Sequence, residues 1–520
     1  MKRHIAALLA ATMLTSAAAA DTLRYAHADN ISALDPQLNN YAGDHNAGQT
    51  FFATLTPKDV NGPVPFLAES WKLVDPMTWE FKLRDNANWS DGQPVTAEDI
   101  KFSYTRALDV PGSVAGFKGF LRTVESVEVT GPKTFLIHTK VPNPMLPTNL
   151  STVYVVSKHG TEGATTDDFN SGKAMITEGA YLYESYVPGE VVTMTRNDGY
   201  WGPMPEWENV TYRYIQNPAA RTAALLSGDV DVIGKVSLSD VDKLRDAEGV
   251  TLWDYPGLRV QLLQPSFKPG PNPFITDNDG NPLEVNPLRN VKVRQALNLA
   301  INREAIASRL MRNGVTVADQ WMPEGTFGYD TDHGAIAYDP EAAKALLAEA
   351  GYPQGFKLTM HAPSEGNPMS VETAQAVAQF WSRIGVMTQV EGVPKSVYNG
   401  KAGANEYAMS MIAWGNGTAE GSYAMTYVLA TRNKEKGLGA YNWGRYSSAE
   451  LDALLAKVTS EFDDATREGL IKDAVKVVMG DVGVIPLYHY KLIWASRDDL
   501  KVTPWTSDRA VPMQVTKLKE

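Results

Sequence analysis

Not one cysteine occurs among the 520 residues of this chain, and that absence constrains its architecture more than any motif does. No disulfide can staple a small, loop-rich scaffold, and no thiolate can act as nucleophile, zinc ligand or iron–sulfur ligand. Size and packing alone must hold such a fold. The chain is long enough: about 500 residues exceed what one hydrophobic core serves, so two or three domains are expected. Its 12 Trp, 22 Tyr and 15 Phe supply both cores and aromatic-lined pockets.

At the amino terminus, Lys2, Arg3 and His4 precede a largely apolar run from Ile5 to Leu14, and Ala18-Ala19-Ala20 sets small residues before Asp21. That order is the pattern of a secretory signal peptide over residues 1–20, too short to span a bilayer. Export to a periplasm is the expectation. A lipid anchor needs a cysteine at the cleavage site, so a freely soluble product without a lipid is expected. No later apolar run approaches the roughly 18 residues of a membrane helix. Without Lys2 and Arg3, 46 basic side chains face 60 acidic ones, a net charge of −14. Such a field disfavours nucleic acid and anionic membrane surfaces as partners.

Helix and strand signatures alternate along the chain, with Pro and Gly at short intervals and no 20–50-residue repeat. Trp71–Val74 and Thr78–Leu83 read as two pairing strands around the Asp75-Pro76 turn. Thr96 with Asp99 predicts a capped helix whose Ile100, Ser103, Tyr104, Ala107 and Leu108 share a face. Val293, Ala296, Leu297, Ala300 and Ile301 follow helical spacing. Asp339-Pro340 opens another helix, which Gly351 ends, and Ser447 with Glu450 predicts a capping box before Leu451. Between them lie β-rich segments at 190–196, 210–215, 259–263 and 356–361. The fold class is mixed α/β.

Seven segments, in order, carry a family likeness. They are LAESWKLVDPMTWEFKLRDNANWSDGQPVTAEDIKFSY (67–104), EGAYLYESYVPGEVVTMTRNDGYWG (178–202), AALLSGDVDV (223–232), VRQALNLAINRE (293–304), YDPEAAKALLAEAGY (338–352), YSSAELDALLAKV (446–458) and VIPLYHYKLIWA (484–495). Through them the chain resembles the family 5 extracellular solute-binding proteins, the periplasmic dipeptide, oligopeptide and nickel receptors of ABC importers. The resemblance implies a two-lobed, Venus-flytrap α/β fold with an extra subdomain inserted in the first lobe. Residues 21–54, 172–258 and 488–520 would form the core of lobe I, 55–171 the inserted subdomain and 259–487 lobe II. Hinges would lie near 259–265 and 487–493. It implies a binding protein without enzymatic activity or cofactor, probing a small-molecule or peptide ligand and serving ABC permease subunits in the inner membrane as a monomer.

The resemblance also directs attention to candidate ligand residues. Family members place a tryptophan in the second lobe's ligand region; here it is Trp414, expected to line the cleft. Peptide-binding relatives carry an aspartate three residues later that pairs with the peptide's amino terminus, but Gly417 stands there. The arginine that oligopeptide receptors carry three residues before the tryptophan is Met411 here. Glu420 is the candidate replacement for the missing aspartate, which requires a rearranged loop. Asn416 and Thr418 flank Gly417, where a ligand can approach the backbone, and are expected to hydrogen-bond to it. From lobe I, Asn39, Asn40 and Tyr41 are candidates that read equally as capping or turn residues, and Phe120 is a further one.

Other chemistry has weaker support. The eight histidines form no i, i+3 or i+4 pair, so no metal site is expected, although a chelated metal stays open as cargo. Asp277–Asn281 lacks the carboxylate spacing of a calcium loop and reads as a surface turn. No Walker A motif, dinucleotide fingerprint or G-x-S-x-G elbow occurs. A di- or oligopeptide is the leading ligand class. An opine or amino-acid conjugate, an oligosaccharide or a metal chelate on the same fold, and a secreted hydrolase, remain alternatives.

Overall fold

The computed structural model describes residues 21–59, 62–503, 505 and 508–518. The expected signal peptide lies outside them. A sheet of twelve strands runs through the molecule and joins both lobes. On the first-lobe side, Thr22–His27 pairs in parallel with Asn209–Tyr214 and with Val232–Ile233. Val191–Arg196 and Tyr181–Val187 continue outward as an antiparallel ribbon. On the second-lobe side, Phe356–Pro363 pairs in parallel with Val386–Val393, and Met409–Gly415 lies antiparallel to residues 259–265.

Two long antiparallel strands, Val250–Pro265 and Ile485–Arg497, cross from one lobe to the other. Val250 to Pro256 pair with Arg497 to Lys491, and Val260 to Leu263 pair with His489 to Ile485. Between Pro256 and Val260 the register breaks. Pro256 has no N–H for the ladder, and a side chain at Gly257 would put its Cβ 2.4 Å from the Tyr490 carbonyl oxygen. Sequence and sterics together therefore place a weak point in the ladder where the lobes meet.

Separate cores fill the two lobes and the inserted subdomain. Leu23, Tyr181, Tyr212 and Trp494 centre the first-lobe core. Tyr154, Val156 and Phe169 pack there too, although the sequence-based division gives them to the inserted part. The insertion has its own four-stranded antiparallel sheet, ordered Ala68–Asp75, Thr78–Leu83, Thr134–Thr139, Val124–Val129, over a core of Phe81, Trp89, Phe117 and Phe135. The second lobe holds one core around Trp381 and Met360 and another around Trp321 and Ile471.

Most local signatures have the expected outcome. Asp99 Oδ2 accepts from the backbone N and hydroxyl of Thr96 at 2.8 Å each, at the start of helix Ala97–Arg106. Ile100, Ser103, Tyr104 and Ala107 are buried, but Leu108 is exposed because the helix ends before it. Asp339 Oδ1 accepts from Ala342 N at 2.9 Å over Pro340–Glu349, and Gly351 has the left-handed φ of +91° that ends a helix there. The capping box at Ser447 does not form. Ser448 is the cap of Ala449–Val458, accepting from Leu451 N at 3.3 Å, and the Ser447 hydroxyl turns to Thr431 Oγ1.

Candidate functional site

The lobes enclose a cleft of about 1820 Å³, bounded by both lobes, the crossing strands and the C-terminal segment. Part of the second-lobe wall follows from one strand. Met409–Gly415 ends beside the register break, where Asn416 N donates to Leu258 O at 3.0 Å. The chain then turns through Ala419, which has a φ of +57°. This turn presents Asn416, Gly417 and Thr418 to the cleft. Asn416 and Thr418 are buried, and Asn416 Nδ2 and Oδ1 and Thr418 Oγ1 have no hydrogen-bond partner among the described residues. Buried polar atoms left unpaired are costly, and beside a cleft they are natural points for a ligand to bond. A Cβ at Gly417 would meet only the Tyr423 ring, at 4.0 Å, so bare backbone faces the space.

The first-lobe wall is built on helix Ala42–Phe51. Asn40 precedes it, lines the cleft, and has its Oδ1 2.5 Å from His45 Nε2. The other ring nitrogen lies 2.9 Å from the Tyr154 hydroxyl. Burial, with Arg509 and Lys58 adding to it, pushes the His45 imidazole well below its usual range, so a neutral ring donating from Nε2 satisfies both contacts. Phe120 also lines the cleft, half-buried.

Four candidates are corrected. Asn39 does not line the cleft, because its Oδ1 accepts from Val114 N (3.1 Å) and Ala115 N (3.3 Å) to fasten a neighbouring loop. Tyr41 is 44% exposed and not part of the cleft lining, and its carbonyl accepts from His45 N at the head of the helix. Trp414 falls on the inner face of its strand and packs under the wall. Its ring stacks on Tyr423 at 5.2 Å, and Tyr423 takes the cleft-lining place. Glu420 is buried against Arg467, its Oε1 2.7 Å from Nη1. Burial pushes its carboxyl up while Arg467 opposes the shift. Arg467 in turn lies over the Phe327 ring at 4.5 Å and pairs with Asp464 at 3.0 Å. Glu420 is therefore committed to the second-lobe core and does not line the cleft.

Cations outnumber anions on the cleft surface: Lys58, Arg221, Lys235, Arg259, Lys395, Lys491 and Arg509 against Asp59, Glu365 and Asp508. Several are already satisfied. Lys235 pairs with Asp29 at 2.6 Å and Lys491 with Asp254 at 2.7 Å, and Arg221 donates to the carbonyls of Ile215, Gln216 and Lys235. Lys58, Arg259, Lys395 and Arg509 make no ion pair among the described residues. Sequence reading missed these groups and Tyr423. Lys58 and Arg509 stand at opposite ends of the chain and no motif links them, whereas an aromatic next to the glycine-rich turn was a readable hint. Among the described residues no group of three His, Asp or Glu could hold a metal ion.

A family model for bacterial extracellular solute-binding proteins, family 5 (middle), matches residues 62–436. The chain belongs to that family. This family 5 protein is 26% identical over 451 residues to heme-binding protein A of Haemophilus influenzae, across 82% of the chain and 78% of the relative. It is 26% identical over 537 residues to the periplasmic oligopeptide-binding protein OppA of Salmonella typhimurium, across 94% and 92% respectively. Among solved structures, HbpA2 from Haemophilus parasuis superposes with a TM-score of 0.83 at 24% identity, covering 96% of this chain and all of that one. That likeness supports the two-lobed fold. The family 5 protein is thus a solute-binding protein.

Proposed function

We propose that this family 5 protein is the periplasmic receptor of an ABC importer for a peptide-like solute, and that it works as a monomer cleaved from its signal peptide, unlipidated and without enzymatic activity. One observation carries the reading: a large cleft between two lobes that share a single sheet, with the ladder broken at Pro256–Val260 where the lobes join. A ligand touching both lobes favours the closed state by its differential affinity, and the broken ladder is where backbone rotation costs least. Lobe I would comprise 21–54, 172–258 and 488–520, the insertion 55–171 and lobe II 259–487, with Tyr154, Val156 and Phe169 of the insertion packing on lobe I. Asn40, Phe120, Asn416, Gly417 and Thr418 are the proposed ligand residues. The relatives named for heme and oligopeptide binding support a receptor role.

A second reading has its own support. With Glu420 bound to Arg467 and Gly417 at the position of the missing aspartate, the second lobe offers no carboxylate to a peptide's amino terminus there. A solute with a blocked or absent amino terminus, such as an amino-acid conjugate, fits that wall better. Calorimetry with matched free and N-acetylated tripeptides separates the readings. Recovery of the bound compound by mass spectrometry, chemically unchanged, is the outcome expected of a receptor; a cleaved product would point to the hydrolase instead.

A further inference from the structure

We propose that Lys58 and Arg509 form an anion subsite on the first-lobe wall of the cleft, seating a carboxylate of the bound solute. The inference deepens the receptor reading and rests on it. Both residues line the cleft, although the fold brings them there by separate routes. The chain leaves helix Ala42–Phe51, bridges to Tyr154 at Thr54, and reaches Lys58 in a short strand paired with Gly62–Pro63. Arg509 is set by its neighbour Ala510, whose N–H donates to Asn46 Oδ1 at 3.0 Å and whose carbonyl accepts from Tyr25 OH at 3.3 Å. Asn46 adjoins His45 on the same helix, so Arg509 is fixed beside the His45–Tyr154 pair.

Lys235, Lys491 and Arg221 have partners, whereas Lys58 and Arg509, like Arg259 and Lys395, make no ion pair among the described residues, and of these four Lys58 and Arg509 act on each other. Asp29 and Asp508 act electrostatically on Arg509 but form no ion pair with it among the described residues, and burial pushes the Asp508 carboxyl up. Besides these acids, the groups that face them are His45, kept neutral, and the Tyr154 hydroxyl. Lys58 is only half-buried by surface, yet it stands inside the cleft with protein on most sides, and that desolvation, with Arg509 beside it, lowers its ammonium to about 7. Two like charges held together without an ion-paired partner are unfavourable, and a carboxylate placed between them relieves the repulsion while accepting charge-assisted hydrogen bonds. A bidentate guanidinium with one ammonium suits a carboxylate better than a neutral amide.

The full mature chain is tested by calorimetry against Ala-Ala-Ala and its C-terminal amide, and against Ala-Glu-Ala-amide and Ala-Gln-Ala-amide. The first pair reports a terminal carboxylate and the second a side-chain carboxylate. One acid of the four is expected to bind about tenfold to a hundredfold more tightly than its neutral partner. Lys58→Met and Arg509→Gln should each erase that difference, and Lys58→Arg should keep it. At pH 8, acid binding by the wild type should take up close to one proton, measured in buffers of different ionisation enthalpy, as Lys58 regains its charge. This wild-type readout does not depend on the variants folding. Equal affinity for acid and amide, or a difference that survives both substitutions in folded protein, or no proton uptake, overturns the subsite and leaves the receptor reading intact. Binding of none of the four overturns the peptide-like reading and the subsite with it.

Discussion

Replacing Glu420 with Gln asks whether this carboxylate serves the fold or the ligand. Its Oε1 lies 2.7 Å from Arg467 Nη1, with the two side chains 5% and 9% exposed. Breaking a buried pair by removing one partner typically costs about 3–5 kcal/mol, because the remaining charge stays buried. Arg467 keeps two other contacts, Asp464 at 3.0 Å and the Phe327 ring, and a glutamine carbonyl can still accept from it. Asp464 is 78% exposed and so screened. The expected loss is therefore smaller, about 2–3 kcal/mol of ligand-free stability, read by urea unfolding at neutral pH. Calorimetry with a tripeptide and its N-acetyl form should give the same affinity ratio in wild type and variant. Unchanged stability together with a collapse of that ratio would refute the argument and put Glu420 at the ligand's amino terminus.

Other perturbations test separate parts of the account. Asn416→Leu removes two unpaired buried polar atoms, so ligand-free stability should hold or rise by about 1 kcal/mol while affinity falls about tenfold; lost stability with intact binding would contradict this. Gly257→Val pushes a side chain into the Tyr490 carbonyl and should cost roughly 2 kcal/mol in unfolding experiments, whereas a neutral effect would show that the crossing strands are not tightly apposed there. Burial lowers His27 and His489 to about 3, so below pH 6.5 the unfolded chain binds protons that the folded chain refuses. Stability should fall as pH drops from 6.5 toward 3, by up to about 1.4 kcal/mol per pH unit for each histidine. His489→Gln should flatten that part of the profile by one histidine's share, and an unaltered slope would refute it.

The fold was largely legible because its signals are local. The turn at Asp75-Pro76, the Thr96–Asp99 cap and the Asp339-Pro340 start each act within a few residues, and each forms. The Ser447 cap missed by one residue because two adjacent serines offer the same chemistry and tertiary bonding to Thr431 chose between them. The cleft was less legible. Asn416, Gly417 and Thr418 reach it because the strand before them ends at the register break, but the same strand's alternation turns Trp414 inward. Glu420 was read as free because its partner Arg467 lies on a distant helix, a pairing no spacing rule reveals. Lys58 and Arg509 meet only through tertiary structure, and nothing adjacent to either in sequence announces a binding role.

Small-angle scattering on the mature chain, with and without a solute that calorimetry shows to bind, tests the central claim most directly. A smaller radius of gyration is expected at saturation, as the lobes rotate about the break at Pro256–Val260 and close the cleft. Identical scattering curves at full occupancy would contradict it.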